Sequence, residues 1–318
     1  LTENKESLGR FIIVTAALVG LGMFVLAYVP VINIFTSLFI PLPVLYCLQR
    51  WGRLLGLLIG ATGLILLYLL KETILPLDSL GPIVFLAAVG WILFEVARQG
   101  YPLGKSVFRG AVLMILAGMA LLFLEALVEG RSVGEMFLLY LAGQLDGQIK
   151  LLAQIDPAGS QLALIKENRD RILAVIVAIF PAIATVSALT LVLVNLLTAR
   201  YAFPRLGLSF PDFGAPTHWR VNEKTVWLLI AAGFALFIPA GVVKALGINI
   251  FLLLLFLYTL NGLATMDFLL QKRNAPSWLR ALFYFTVFAV PYVIVGIAAL
   301  GLVDVWMDFR RRTGAQTP

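Results

Sequence analysis

Long apolar runs with almost no charge dominate this sequence. A helix needs about 20 mostly apolar residues to cross a bilayer, since each residue rises about 1.5 Å against a hydrocarbon core of about 30 Å. Nine stretches meet or approach that length: Phe11–Val29, Asn33–Leu48, Arg53–Leu70, Gly81–Ala97, Val107–Leu127, Ile172–Leu197, Thr225–Val243, Ile248–Leu270 and Ala281–Val303. The reading is an all-α polytopic transmembrane helix bundle of eight to nine spans. Composition agrees: 61% of the residues are hydrophobic and 13% charged, whereas soluble domains run near half apolar and a quarter charged. A soluble globular domain, a disordered chain and a coiled coil are excluded on that ground.

The second stretch is the weakest, because Pro30, Pro41 and Pro43 remove backbone donors, so it is read as a short, broken or re-entrant span. The first has a basic start in Lys5 and Arg10, as a signal peptide would, but its apolar core is too long and no A-x-A site follows, so it is read as a retained span. Lysine and arginine accumulate in cytoplasmic loops. They alternate here: Lys5 and Arg10 before span one, Arg50 and Arg53 after span two, Arg98, Lys105 and Arg109 after span four, Arg200, Arg205, Arg220 and Lys224 after span six, and Lys272, Arg273 and Arg280 after span eight. The amino terminus is therefore expected in the cytoplasm. Nine crossings would export Arg310, Arg311 and Arg312, against the same rule; dropping span two would invert the alternation downstream.

Composition divides the chain into residues 1–127, an insert over 128–171, and residues 172–318. The insert mixes acidic and basic residues with Met136, Phe137, Leu138, Leu141, Leu145, Ile149, Leu152 and Ile155 at roughly helical spacing. That pattern predicts an amphipathic helix lying on the membrane or capping the bundle, broken at Pro157, Gly159 and Ser160.

Small residues at four-residue spacing let helix backbones approach closely in lipid. Gly52, Gly56 and Gly60, with Gly63 following, make such a ladder in span three, and Ala16 and Gly20 make one in span one. Internal packing is the commoner use of such a ladder; docking of another membrane subunit is the functional one. Ionisable groups inside spans are functional candidates by default. Glu95 stands three residues before Arg98, which predicts a local ion pair. Glu125 is close enough to the end of span five to snorkel, and Asp267 reads as a salt bridge near Lys272 and Arg273 or as a substrate or proton site. Asn33, Thr36, Ser37, Asn195, Asn249 and Asn261 are uncharged polar groups at membrane depth, with Trp91, Tyr258, Tyr284 and Tyr292 as aromatic companions. Such groups either hydrogen-bond a neighbouring helix or line a cavity for a small molecule. The candidate substrate contacts are Asn33, Trp91, Glu95, Asn195 and Asn261. Pro181 and Pro291 are expected to kink spans six and nine and to leave carbonyls facing a cavity.

Several chemistries are absent from the sequence. Cys47 is the one cysteine and His218 the one histidine, so no CxxC site, cysteine zinc cluster or HExxH motif can form. No Walker A loop occurs, and no nucleophile elbow is expected. No cofactor, metal or enzymatic activity is expected, and the net charge of +7 follows from loop bias, with no nucleic-acid partner implied.

Two sets of residues carry a resemblance. Ile179–Phe180–Pro181–Ala182–Ile183 with Asn195, then Asn261–Gly262–Leu263–Ala264, Leu300–Gly301–Leu302–Val303–Asp304 and Asp308–Phe309–Arg310, resemble the YybS-like family of predicted bacterial membrane proteins. Pro41–Leu42–Pro43–Val44, the Gly52 ladder and the small-residue face of span one are distantly similar to the S components of energy-coupling-factor vitamin transporters. That similarity implies a helical bundle in the bacterial cytoplasmic membrane. It would bind a small molecule and dock through span one on separate transmembrane and ATPase subunits. The chain has about three spans more than an S component, and the insert has no counterpart there. The alternative is a non-transporting membrane scaffold or regulator that recruits partners through its insert and basic loops.

Overall fold

A computed structural model of the chain describes residues 38–74, 81–155, 159–214, 220–239 and 241–310. The described residues form ten α-helices and one 3-10 turn, Pro204–Leu206, and no strand. The helices are α1 (Pro41–Ile74), α2 (Gly81–Arg98), α3 (Leu103–Glu129), α4 (Val133–Ile155), α5 (Ser160–Glu167), α6 (Arg169–Ala202), α7 (Lys224–Ala235), α8 (Gly241–Lys272), α9 (Ser277–Ala289) and α10 (Pro291–Met307). Span one, with Ala16 and Gly20, lies outside the described residues, as do Asn33, Thr36, Ser37, His218, Arg311 and Arg312.

Among the described residues, three helices are long and apolar enough to cross a membrane: α3, α6 and α8. Their 27, 34 and 32 residues correspond to about 40–50 Å each. The pair α9 and α10 adds a fourth if it counts as one bent span. Along α3, Phe108, Leu116, Met119, Phe123 and Leu127 are exposed; that surface would aggregate in water and is ordinary against acyl chains.

Three of the sequence-based spans are not single helices. The described part of Asn33–Leu48 is a turn over residues 38–40 followed by the start of α1, where Pro41 and Pro43 occupy first-turn positions whose N–H groups have no helical partner in any case. Thr225–Val243 stops as a helix at Ala235, ahead of Pro239, and the chain resumes in α8 from Gly241. Ala281–Val303 is divided at Val290, which is extended (φ −120°, ψ 96°), and Pro291 opens a new helix. The axes before and after that break differ by 108°.

The chain clusters into two compact units. The first comprises Leu1–Met119 and Ser187–Phe213. Its core joins Leu45 and Leu48 of α1, Val89 and Leu93 of α2, Val107 of α3, and Val192, Leu196 and Phe203 of α6 and its end. Edge-on ring contacts run from Tyr46 through Phe203 and Phe210 to Phe213. Gly52 interrupts α1 at φ +80°, a backbone state in which a Cβ is strained. The chain there doubles back enough for Gly56 to meet its own helix: a Cβ would lie 2.8 Å from the Cα of Leu48. Gly60 faces open space. The three glycines of the ladder thus meet three different environments.

The second unit comprises Ala120–Val186 and Gly214–Pro318. Its insert is helical, as the spacing predicts, in α4 and α5. A capping box starts α4: the Glu135 N–H donates to Ser132 Oγ at 3.2 Å and the Ser132 N–H to Glu135 Oε2 at 3.0 Å. Those two bonds hold the Glu135 carboxyl below its ordinary pKa. One side of α4 is packed, with Leu141 buried and Phe137 edge-on to Phe180 of α6 at 4.8 Å between centroids. Val133, Tyr140, Leu151 and Ile155 are exposed.

Arg169 ties α6 to α4 with a bidentate pair to Asp146, at 2.7 and 2.8 Å. The guanidinium donates to the carboxylate and lowers its pKa. An acid with a lowered folded pKa contributes stability that is complete above its unfolded value, about 3.9 for aspartate, and that is lost as pH falls through the folded value. The thermal stability of the wild type in detergent is therefore expected to exceed that of Asp146→Asn at pH 7 by a small margin. The gap should close only below about pH 4; a gap that closes between pH 5 and 7 would assign the dependence to another group.

Candidate functional site

Helix α8 organises the second unit, and close backbone contact seats its neighbours. A Cβ on Gly262 would overlap the carbonyl oxygen of Ile297 in α10, and one on Gly301 would overlap the carbonyl oxygen of Tyr258 in α8. On the α7 side, a Cβ on Gly247 would come within 2.7 Å of the Ala235 Cβ. Gly262 and Gly301, not the ladder of α1, make the tightest helix contacts among the described residues.

The close approach of α8 and α10 brings a polar cluster together. Asn261 Nδ2 donates to the Gly301 carbonyl at 2.8 Å, and Asn261 Oδ1 accepts from Arg310 Nη2 at 2.7 Å. Arg310 Nη2 also donates to Asp304 Oδ2 at 2.7 Å. Asp304 Oδ1 accepts the Phe309 N–H at 3.0 Å. The arrangement is local in origin: α10 ends where Asp308 turns left-handed (φ 45°) with its N–H on the Asp304 carbonyl. That turn brings Phe309 and Arg310 back beneath the Asp304 carboxylate. Asn261, Asp304 and Arg310 are 1%, 4% and 7% exposed, so the ion pair is removed from solvent on both sides.

A second ion pair stands at the rim, where Arg220 donates through Nη1 and Nη2 to Asp308. Next along the chain, Asn222 Oδ1 accepts the Lys224 N–H at 3.0 Å at the start of α7, and Thr225 Oγ1 bonds Tyr258 Oη of α8 at 2.8 Å. A cleft of about 490 Å³ opens here, lined by Arg220, Asn222, Glu223, Lys224, Asn261, Asp304, Trp306 and Asp308 together with Val221 and Val305. A 490 Å³ space matches the volumes in which small ligands bind. Asn261 lies in the run from Ala245 to Met266 that carries no charged residue, so the cleft reaches a level of α8 set between apolar turns. A short apolar helix begins there and another helix ends there. Membrane transport proteins place substrate sites at such interruptions, because helix termini offer unpaired backbone groups at membrane depth.

The sequence-based candidates separate. Asn261 belongs to this cleft. Trp91, Glu95 and Asn195 lie in the first unit. Glu95 pairs bidentately with Arg53 of α1 at 2.8 and 2.5 Å, which replaces the expected pair with Arg98; Arg98 lies over the Phe94 ring instead, 5.5 Å from its centroid. Trp91 packs on the core and tilts against Phe94. Asn195 is fully buried and donates to the carbonyls of Leu38 and Leu191 at 2.7 and 2.8 Å. Asp267 accepts from Gln271 Nε2 at 2.8 Å and lies against Tyr284 of α9.

Beside Asn249 stands Pro181, whose missing N–H would have met the Val177 carbonyl of α6. Helix α6 continues through it, and the Asn249 carboxamide of α8 bonds the α6 backbone on both sides: the Ala182 N–H donates to Oδ1 and Nδ2 donates to the Ala178 carbonyl, each at 2.7 Å. These are the two ends of what would be one rung of the helix ladder. Asn249→Leu is expected to leave both without that partner and to lower stability by about 1–2 kcal/mol, measured as unfolding in detergent; an unchanged midpoint would show that the α6 rung closes by itself.

Sequence reasoning missed Asp304, Arg310 and Arg220 as a set. Asp304 and Arg310 belong to the short patterns of the family resemblance, which assign them no role, and in sequence both arginines look like loop or tail charges. The available signal was a carboxylate inside an apolar run six residues before an arginine.

Residues 14–305 match the model of the family described as "Predicted membrane protein (DUF2232)". Neither a curated protein nor a solved structure matches the chain. The chain belongs to that family of predicted membrane proteins.

Proposed function

From the premise that this is an integral membrane protein of the DUF2232 family, we propose that it is the small-molecule-binding subunit of a transporter that draws its energy from a separate module. The observation that carries the reading is the cleft beside Asn261, polar and of mixed charge at its rim, at the level of α8 where α7 begins and α10 ends. The chain has no Walker loop, so ATP-driven movement of a ligand needs a partner that hydrolyses it. The finer topology belongs to the same reading: eight to nine crossings of a bacterial cytoplasmic membrane with the amino terminus inside, YybS-like kinship, and distant kinship to energy-coupling-factor S components. Ala16 and Gly20 are the proposed docking face for the energising subunits, and the protein itself performs no catalysis. The exposed residues of α4 and α5 favour a second reading, a membrane scaffold whose insert recruits partners.

Native mass spectrometry of protein purified from its own membranes tests the first reading. A bound metabolite is expected, and it should be lost in Lys224→Met and Trp306→Ala, since both side chains are exposed on the cleft and neither supports the fold. Replacing Ala16 and Gly20 by leucine should abolish capture of an ATPase-bearing module and leave the metabolite in place. Wild-type protein that carries no metabolite and captures no such module would put the scaffold reading first.

A further inference from the structure

Helix α9 has 13 residues, about 20 Å of helix, and cannot cross the hydrocarbon core alone. Its direction follows from its neighbours. Helix α10 lies backbone to backbone along α8, with Gly262 against Ile297 and Gly301 against Tyr258. Those pairs run in opposite senses, so α10 shares the axis of a membrane-crossing helix and starts near the carboxy-terminal end of α8. The bend of 108° at Val290 then sets α9 close to a right angle to that axis, which is close to the plane of the bilayer. Tyr284 lies against Asp267 and Arg280, so α9 is folded over the same end of α8 from which the chain emerges.

We propose that α9 is an interfacial helix, seated along the boundary between headgroups and acyl chains in the leaflet where α8 ends. Trp278, Leu282, Phe285 and Ala289 recur at helical spacing and are all exposed, so they form one apolar stripe. Lys272 and Arg273, both exposed, stand just before its start, where cations suit phosphate headgroups, and the aromatic content is that of a membrane-interface belt. The bilayer surface is therefore the partner of this face.

Depth measured by fluorescence quenching decides it, with the full chain in vesicles of brominated phosphatidylcholine and phosphatidylglycerol. In a background whose other five tryptophans are phenylalanine, Trp278 is compared with a tryptophan moved along the stripe by Trp278→Phe with Phe285→Trp. Both positions are expected to be quenched more by bromine near the headgroup than by bromine deep in the chain, and at equal depth. A tryptophan at 285 lying about 10 Å deeper than one at 278 would make α9 part of a crossing or re-entrant segment and overturn the proposal. Absence of quenching at both would do the same, by showing protein on this face. Should that background fail to fold, spin labels at positions 278, 282 and 285 in Cys47→Ser carry the same comparison through oxygen and nickel accessibility. Equal accessibility ratios along the stripe support the proposal, and a steady rise toward 285 overturns it.

Discussion

Replacing Gly301 with leucine should separate α10 from α8 and abolish the stable detergent-solubilised protein. A Cβ at this position overlaps the carbonyl oxygen of Tyr258 and the amide of Gly262. Both are backbone atoms of a helix, so no side-chain rotation relieves the clash and the helices themselves must part. Overpacking in a yielding core costs about 1–3 kcal/mol; a clash with rigid backbone on both sides belongs at or above the top of that range. The separation would also withdraw the Gly301 carbonyl from Asn261 and open the polar cluster. Gly262→Leu should do the same through Ile297, while Gly60→Leu, in open space, should change the midpoint by less than about 0.5 kcal/mol. Thermal unfolding followed by size-exclusion in detergent reads all three, and a Gly301 variant as stable as wild type would show that this helix pair is not as close as described.

Breaking the buried ion pair is the second large effect. Arg310→Leu takes the guanidinium from the Asp304 carboxylate, which also accepts the Phe309 N–H, and Asp304→Leu takes the carboxylate from the Arg310 guanidinium. Side chains of this pair are 5% and 3% exposed, so the remaining charge cannot be hydrated where it stands. Removing one partner of a buried pair costs about 3–5 kcal/mol, and replacing both with apolar residues of similar volume is often neutral. The double variant Asp304→Leu with Arg310→Met is therefore expected to recover most of the stability that either single change loses. Two single losses that simply add in the double variant would mean the charges act independently and that the cluster is not one unit.

The two prolines at membrane depth show where sequence reasoning stops. Pro181 and Pro291 both lie in apolar stretches and both were expected to kink a helix. Helix α6 runs on through Pro181, where Asn249 from α8 bonds the neighbouring backbone. At Pro291 the chain divides into two helices. The residue type is the same at each; next to Pro181 the α6 backbone is bonded by Asn249, and ahead of Pro291 Val290 is extended. Glycine behaves likewise: Gly52, Gly56 and Gly60 share a spacing but serve as a break, a close contact and an open position, while Gly262 and Gly301, which share no short spacing, meet across two helices.

The helical, membrane-embedded character of the chain was legible in the sequence, because burying an apolar run in lipid depends only on the length and polarity of that run. The course of α2, α3, α6 and α8, and the helical insert, follow the same one-dimensional rule. The cleft at Asn261 was not legible. It needs Arg220, Asn261, Asp304 and Arg310 at hydrogen-bonding range, and charges so far apart in the chain are indistinguishable from loop charges until helix packing removes them from water. Only the tertiary structure decides that, because the stability of a buried charge depends on which partner lies within about 3 Å and on what excludes solvent around both.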